Sequence, residues 1–244
     1  MMKDSWAKGE PTLGGWCSIG DSIAAELMGR AGFDYVCIDN QHGINDYTST
    51  VPMLQAIDLG GATPIVRVPW NEPGVIGKML DAGAQGIIVP MVNSGAEAEA
   101  AVRACRYAPA GARSWGPTRA ALRVDDYWGT ANDAIACIPM IETVQAIAAL
   151  DDILAVPGID AVYVGPADLS ITLGLPPGNN DDDPTFVEAL ETIVAGCRRH
   201  GVVAGIHASP RLTPRRVEMG FQMVTVTADT VALRGALAAS LATA

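Results

Sequence analysis

The stretch from Ala134 to Ser170 reads AIACIPMIETVQAIAALDDILAVPGIDAVYVGPADLS. It holds two short apolar runs, Ala134–Ile141 and Ala161–Val164, separated by a segment of helical character. An acidic residue follows each run, Glu142 after the first and Asp168 after the second. Because neither run alternates polar with apolar residues, both are typical of parallel strands buried on both faces. The stretch therefore predicts successive strand–helix units of an α/β fold.

The same alternation of apolar runs and helical segments extends along the whole chain. The predicted strands are Gly14–Ile19, Tyr35–Asp39, Thr63–Val68, Gly86–Met91, Ala134–Ile141, Ala161–Val164, Val202–Ile206 and Met223–Thr227. The predicted helices are Ser22–Ala31, Ser49–Leu59, Pro73–Ala82, Ala96–Arg106, Val144–Leu150, Pro184–His200, Pro214–Met219 and Thr230–Leu241. Units of about 30 residues match the βα module. We therefore expect residues 1–244 to form one (β/α)8 TIM barrel. A doubly wound sheet is the main alternative, but no glycine fingerprint follows the first strand.

The charge and composition of the chain exclude several classes of partner. The net charge is −11, which disfavours binding to nucleic acid or to an anionic membrane. No apolar run reaches the roughly 18 residues of a membrane span, and the first residues lack the apolar stretch of a signal peptide. The five cysteines are odd in number and lack CxxC spacing, which favours reduced thiols. We expect a cytoplasmic protein with no membrane or nucleic-acid partner.

The positions of the lysines limit the chemistry of any active site. A Schiff-base enzyme of this fold needs a lysine on a barrel strand. Lys3 and Lys8 precede the barrel, and Lys78 falls within a predicted helix. The sequence also lacks GxSxG, P-loop and HExxH motifs. Any carbanion formed here is therefore expected to need a metal ion for its stabilisation.

Ionisable residues follow several predicted strands at the point where each strand ends. Asp39 and His42 follow the second strand, Arg67 ends the third, and His207 follows the seventh. The carboxyl ends of all strands meet at one rim of a barrel, where TIM-barrel active sites lie. We therefore expect these side chains to share one site with the two acidic residues of the fifth and sixth strands.

Glu142 and Asp168 are the candidate metal ligands. Two carboxylates that leave positions open for water and substrate suit a hard divalent cation such as Mg²⁺ or Mn²⁺. The alternative is that each residue caps the helix after it, and Asp168 in particular could be an N-cap. The run Asp181–Asp183 lacks the spacing of a calcium loop and is a poor alternative metal site.

Arg67 and the two histidines have more than one interpretation. The guanidinium of Arg67, in a buried strand, could pair with Glu142 or Asp168, or it could face a substrate carboxylate or enolate oxygen. His42 is a candidate general base, supported by Asp39 or Asp81, and otherwise a polar loop residue. His207 could line the mouth and select substrate.

Two long connections invite a functional interpretation. Residues 107–133 follow the fourth strand, and residues 173–184 follow the sixth. We expect both to lie on the carboxyl side of the strands, where the active-site loops of a barrel are found.

Short motifs spread along the chain resemble those of one family, the HpcH/HpaI aldolase/citrate lyase group, and within it the metal-dependent class II pyruvate aldolases. The matching motifs are GGWCS (14–18), GFDYVCID (32–39), QHG (41–43), VRVP (66–69), LDAGAQGIIVPMV (80–92), MIET (140–143) and VGPADLS (164–170). Each is short, but their order is highly specific. The resemblance implies a TIM barrel that reversibly cleaves a 4-hydroxy-2-oxo acid to pyruvate and an aldehyde, through a pyruvate enolate stabilised by Mg²⁺, Mn²⁺ or Co²⁺.

The resemblance also implies roles for individual residues. Glu142 and Asp168 would be the metal ligands, Arg67 would contact the enolate oxygen, and His42 would be the base. The backbone N–H groups of Gly165 and Ala167 would hold the pyruvate carboxylate. The side chains of Trp16 and Arg119 would occupy further positions in the pocket.

Some positions depart from the family pattern. Gln41, Met140 and His207 differ from the residues common in better-known members. Met140 and His207 would line the substrate pocket, so the resemblance does not specify which aldehyde the protein uses. An acyl-CoA lyase related to the citrate lyase β chain and a catalytically silent barrel are the alternative functions.

The apolar segment Val231–Leu241 predicts packing against another subunit. Family members exchange C-terminal helices and form hexamers, which implies a homohexamer.

Overall fold

The computed structural model describes residues 2–244, and Met1 lies outside the described residues. The strands of the described chain are β1 (Thr12–Cys17), β2 (Tyr35–Asp39), β3 (Thr63–Arg67), β4 (Gly86–Val89), β5 (Ala136–Pro139), β6 (Ala161–Val164), β7 (Val203–His207) and β8 (Met223–Ala228). Its helices are α1 (Met2–Ala7), α2 (Ser22–Arg30), α3 (Tyr47–Gly60), α4 (Pro73–Asp81), α5 (Gly95–Cys105), α6 (Ala120–Arg123), α7 (Tyr127–Ala134), α8 (Val144–Ala148), α9 (Leu150–Leu154), α10 (Pro166–Thr172), α11 (Pro184–His200), α12 (Thr213–Met219) and α13 (Asp229–Ala242).

The strands form one parallel sheet in the order β5-β4-β3-β2-β1-β8-β7-β6. A parallel bridge between Met140 and Tyr163 joins the two ends of this order, just beyond β5 and within β6. The N–H of Ile141 also donates to the carbonyl of Tyr163 over 2.9 Å. The sheet is thus a nearly closed barrel, which confirms the predicted (β/α)8 fold and excludes the doubly wound alternative.

Local sequence signals set the helix boundaries. Glu72 caps α4 through its side chain, and Pro73 occupies the first turn, where its missing N–H costs nothing. Asp183 caps α11 in the same way. Gly201 ends α11 at φ 68°, a left-handed conformation that glycine adopts without a steric penalty.

Two layers of apolar side chains hold the barrel together. The interior layer includes Trp16, Tyr35, Ile138 and Tyr163, and Trp6 of α1 joins it from below. The Trp6 indole N–H donates to the hydroxyl of Thr12, the first residue of β1, so α1 closes the amino end of the barrel. A second layer fills the space between the strands and the outer helices. All five cysteines are buried, and none forms a disulfide.

The C-terminal helix α13 differs from the other helices in its exposure. Only its first residue, Asp229, is buried. Val231, Leu233, Leu237 and Leu241 are all more than half exposed. Within residues 2–244, no helix combines the length and apolarity that crossing a membrane requires.

Candidate active site

A cavity of about 300 Å³ opens at the carboxyl ends of the strands. Most of the predicted site residues line it. Its lining is Trp16, His42, Arg67, Met140, Tyr163, Gly165, Pro166, Ala167, Asp168, Gly178, Asn179 and His207. The volume is at the lower end of the range for small-molecule sites, which suits a compact ligand.

Glu142 follows β5 and is buried beneath this cavity, with 1% of its surface exposed. Its Oε1 accepts a hydrogen bond from the N–H of Met91 over 2.8 Å, whereas its buried Oε2 has no hydrogen-bond partner among residues 2–244. Burial raises the pKa of Glu142 to about 7; the Met91 bond and the charge of Arg67 lower it, and the charge of Asp168 raises it. A buried carboxylate oxygen without a partner is costly, so it calls for a cation.

Gly165, at the start of α10, leaves the space beside this oxygen open. A Cβ at position 165 would lie 2.3 Å from Oε2 of Glu142 and 2.9 Å from the terminal methyl of Met140. Only glycine fits here without displacing the carboxylate. The close approach explains why the N-cap position before α10, in the motif VGPADLS, is occupied by glycine.

Asp168 lies in the first turn of α10 and lines the cavity. Its charge contributes to the raised pKa of Glu142, so the two carboxylates are electrostatically coupled. Gly165 is the N-cap of α10 and Thr143 is the N-cap of α8, so the interpretation of Asp168 and Glu142 as helix caps is wrong.

The donor set fits a divalent cation with open coordination positions. No group of three or more His, Cys, Asp or Glu side chains is placed to hold a metal within residues 2–244. Glu142 and Asp168 would therefore supply two ligands and leave the remaining positions to water and substrate oxygens, as hard divalent cations accept. The unpartnered Oε2 of Glu142 is the observation that favours this assignment.

Arg67 pairs with Asp39, and not with Glu142 or Asp168 as the sequence suggested. Nε donates to Oδ1 over 2.9 Å, and Nη2 donates to Oδ2 over 2.7 Å. Burial alone would raise the pKa of Asp39, but the hydrogen bonds and charge of Arg67 outweigh it and lower that pKa. Burial alone would lower the pKa of Arg67, but the hydrogen bonds and the charge of Asp39 outweigh it and raise that pKa. Both groups are ionised.

The pairing leaves one arm of the guanidinium for a ligand. Nη1 of Arg67 has no hydrogen-bond acceptor among the described residues, and the side chain lines the cavity. Trp16 supports the pair from one side. Its indole N–H donates to Oδ2 of Asp39 over 3.2 Å, and its ring centroid lies 5.0 Å from Cζ of Arg67.

Two more aromatic rings surround Trp16. Tyr163 stacks on it at 5.7 Å, and His207 meets it edge to face at 5.2 Å between centroids. Burial, helped by the charge of Arg67, lowers the pKa of His207 to about 4, although the charge of Asp39 opposes this. His207 is therefore a neutral wall of the cavity at neutral pH.

His42 lies on the exposed loop after β2 and lines the cavity. Its backbone N–H donates to Oδ1 of Asp39 over 3.2 Å, so Asp39 fixes the loop and not the imidazole ring. Asp81 ends α4 and binds Arg113 over 2.7 Å. Within residues 2–244, neither carboxylate is hydrogen-bonded to the ring of His42.

The segment 107–133 lies at the opposite end of the barrel from the cavity, so its expected position was wrong. It follows α5, which runs back toward the amino ends of the strands, and it leads into β5. Arg119 from this segment donates to the carbonyl of Ala82 over 2.8 Å, next to Asp81. In the single chain, Arg119 and Asp81 are therefore remote from the cavity, and their roles in the site stay predictions.

The segment after β6 does reach the cavity, as expected. Residues 173–184 follow α10, a helix that was not predicted from the sequence, and they place Gly178 and Asn179 in the cavity wall. The acidic run of this loop has structural roles. Asp181 binds Arg216, and Asp183 caps α11.

Sequence reasoning missed three contributors to the site. Tyr163 alternates with Val162 and Val164 in β6, so the pleat alone could have identified it as an inward residue. Met91 has φ 56°, which is rare for a residue with a side chain and is typical of a functional constraint. No sequence signal distinguishes Asn179 from its neighbours.

Comparisons with known proteins find relatives that match nearly the whole chain. A family model described as HpcH/HpaI aldolase/citrate lyase matches residues 13–236. A hydroxypyruvate/pyruvate aldolase from Rhizorhabdus wittichii is 40% identical over 240 residues, which cover 96% of this chain and 94% of the relative. A 4-hydroxy-2-oxo-heptane-1,7-dioate aldolase from Klebsiella pneumoniae is 42% identical over 241 residues, 96% of this chain and 90% of the relative.

A solved structure gives the same result. An HpcH/HpaI aldolase/citrate lyase family protein from Burkholderia cenocepacia superposes with a TM-score of 0.91 at 32% identity, covering 98% of this chain and 97% of the other. With a matching family model over most of its length and two relatives of at least 40% identity, the chain belongs to the HpcH/HpaI aldolase/citrate lyase family.

Proposed function

We propose that the protein is a class II aldolase that reversibly cleaves a 4-hydroxy-2-oxo acid to pyruvate and an aldehyde. The observation that carries the proposal is the unpartnered Oε2 of Glu142, buried beside Asp168 and beneath a cavity that Arg67 lines. The relatives named as aldolases, at 40% and 42% identity, support the same reaction class.

Glu142 and Asp168 would hold the divalent cation, for which Mg²⁺, Mn²⁺ and Co²⁺ are the candidates. When bound, the cation would supply positive charge to the carboxylate and keto oxygens of the 2-oxo acid, which favours the negative charge that develops when the bond breaks. Of these two carboxylates Glu142 is preorganised, since Met91 fixes one of its oxygens.

The residues around the carboxylates would orient the substrate. The backbone N–H groups of Gly165 and Ala167 lie at the start of α10, where unpaired amide donors favour an anion, and they would bind the substrate carboxylate. Nη1 of Arg67 would donate to the keto oxygen. Because Asp39 holds the other two donor atoms of Arg67, the guanidinium needs no reorganisation as charge develops.

His42 would move the proton. Its ring nitrogen would accept the proton of the C4 hydroxyl, directly or through one water, as the C3–C4 bond breaks and the aldehyde leaves. A proton then adds at C3 of the remaining three-carbon fragment to give pyruvate. His207 stays neutral because its pKa is lowered to about 4, so it shapes the cavity and adds no charge there.

We further propose a homo-oligomer, with a hexamer favoured. The support is α13, whose leucine side chains are more than half exposed in one chain, an arrangement typical of a surface covered by another subunit. Sedimentation of a stable monomer would contradict this part of the proposal.

A pyruvate-release assay tests the function. The purified protein is incubated with a series of 4-hydroxy-2-oxo acids, with Mg²⁺, Mn²⁺ or Co²⁺, and with excess EDTA. We expect release with at least one cation and none in EDTA. Full activity in EDTA refutes metal use. Cleavage of an acyl-CoA substrate in place of these acids would identify an acyl-CoA lyase, and inactivity towards both would indicate a silent barrel.

A further inference from the structure

The side-chain amide of Asn179 has a defined orientation in the cavity wall. Nη2 of Arg216 donates to Oδ1 of Asn179 over 2.9 Å. A guanidinium can only donate, so the amide must present its oxygen to Arg216. The NH₂ group of Asn179 therefore lies on the other side, and it has no acceptor among the described residues. Since Asn179 lines the cavity, this unused donor is available to a ligand.

Arg216 is held in a rigid arrangement. It lies on α12 with no exposed surface, and its two terminal nitrogens donate to both oxygens of Asp181 over 2.7 and 2.8 Å. A two-point arginine–carboxylate contact fixes the plane of the guanidinium. Arg215 also reaches Asp181, at 3.3 Å. The position of Asn179 is thus set by the ion pair between buried Arg216 and Asp181, which plays no part in the reaction proposed above.

The backbone on both sides of Asn179 is anchored to α10. The buried hydroxyl of Ser170 donates to the carbonyl of Gly178 over 2.8 Å, and Nδ2 of Asn180 donates to the Ser170 oxygen over 2.8 Å. Ser170 lies two residues after Asp168, on the same short helix. The loop that carries Asn179 is therefore tied to the element that carries a proposed metal ligand.

We propose that Asn179 is a specificity-determining residue, whose NH₂ donates to an oxygen on the aldehyde-derived part of the substrate, and that Arg216 is its positioning residue. The inference rests on the proposed aldolase function. Arg67 ends β3, Glu142 follows β5, and Asp168 lies in the first turn of α10; in the proposed reaction these three residues face the 2-oxo acid half. Asn179 enters from a loop beyond α10, so it faces the part of the substrate that extends away from them. The favoured aldehyde carries a hydroxyl next to its carbonyl carbon.

The test compares two aldehydes of equal heavy-atom count in the addition direction. Pyruvate is condensed with glycolaldehyde, which carries the hydroxyl, or with propanal, which carries a methyl group in its place. We expect the wild type to prefer glycolaldehyde. In Asn179→Ala the ratio of kcat/KM for glycolaldehyde over propanal falls about tenfold, as for the loss of one hydrogen bond.

Two further variants separate this role from a structural one. Asn179→Asp keeps an oxygen for Arg216 but removes the NH₂ donor, so the ratio falls as in Asn179→Ala. The single variant Arg216→Lys loses the planar fork, so its ratio is lower than that of the wild type. Adding Arg216→Lys to Asn179→Ala lowers the ratio no further, because the two residues act as a unit. Asp182→Ala, on an exposed residue of the same loop, is the control and keeps the wild-type ratio.

The outcomes are distinguishable. An unchanged ratio in Asn179→Asp, with an active wild type, overturns this inference and leaves the aldolase function standing. A wild type that forms no product with either aldehyde and releases no pyruvate from any 4-hydroxy-2-oxo acid overturns both. If Arg216→Lys fails to fold, the two Asn179 variants still decide the matter, since Asn179 is only partly buried.

Discussion

Asp39 and Arg67 are register partners in neighbouring strands, and their side chains form a two-point ion pair at the rim of the barrel. The register of β2 against β3 thus fixes the guanidinium before any substrate arrives. Trp16 adds a third contact by donating to the same carboxylate. Arg67 is consequently a preorganised donor in a site that is otherwise acidic.

Replacing Arg67 by alanine removes this donor. We expect kcat for pyruvate release to fall by about 100-fold or more, the usual cost of losing one group that stabilises developing negative charge. The variant also leaves Asp39 buried without its partner, at a cost in folding free energy of about 3–5 kcal/mol, so activity is measured below its unfolding temperature. Arg30→Ala, which breaks an exposed pair with Glu26, is the matched control. Near-normal turnover in Arg67→Ala would remove Arg67 from the mechanism.

The partner of Arg67 shows where sequence reasoning ends. Uninterrupted runs of apolar and β-branched residues identified all eight strands, and two of them, Tyr35–Asp39 and Ala161–Val164, agree with the structure at both ends. Which carboxylate Arg67 meets depends on the register between strands, which no local pattern records. From the sequence, Glu142 and Asp168 were the two acidic partners considered for Arg67, and the structure shows that its partner is Asp39.

The position of residues 107–133 was predictable in principle. The segment follows a helix, and helices of this fold run opposite to the strands, so the segment belongs at the amino end of the barrel. By contrast, the orientation of Asn179 depends on Arg216, which is 37 residues away in the chain. Such a contact comes from tertiary packing alone.

Gly165 provides a test of the space beside Glu142. In Gly165→Ala the new Cβ would clash with Oε2 of Glu142, so we expect the carboxylate to move and divalent-cation binding to weaken with it. Pyruvate release should fall in parallel. Gly77→Ala is the matched control, because a Cβ at position 77 meets no atom within 4 Å and alanine suits the interior of α4. Unchanged cation affinity in Gly165→Ala would show that the cation binds elsewhere.

His207 gives the protein a predictable sensitivity to acid. Its pKa is lowered to about 4, whereas an unfolded histidine titrates near 6.5, so between these values the unfolded chain binds more protons than the folded one. The stabilisation of the folded state by the neutral ring of His207 is therefore fully present above about pH 6.5 and is lost as the pH falls towards 4. In His207→Gln we expect the decrease in unfolding free energy from pH 7 to pH 5 to be smaller by about 2 kcal/mol.

Urea unfolding of the wild type and His207→Gln at the two pH values measures this difference. The expected result is a smaller loss of stability in the variant on acidification. Equal losses in the two proteins would show that His207 is accessible to protons in the folded state, and the cavity wall would then be open to solvent.

Titration calorimetry with Mn²⁺ measures whether Glu142 and Asp168 hold a divalent cation, and it does not depend on knowing the substrate. The wild type should bind Mn²⁺, and Glu142→Gln and Asp168→Asn should each weaken binding by at least about tenfold, because each removes a proposed ligand. Asp182→Asn, outside the cavity lining, is the control and should bind as the wild type does. If Glu142→Gln and Asp168→Asn bind Mn²⁺ with wild-type affinity, these carboxylates do not hold the cation and the proposed site is wrong.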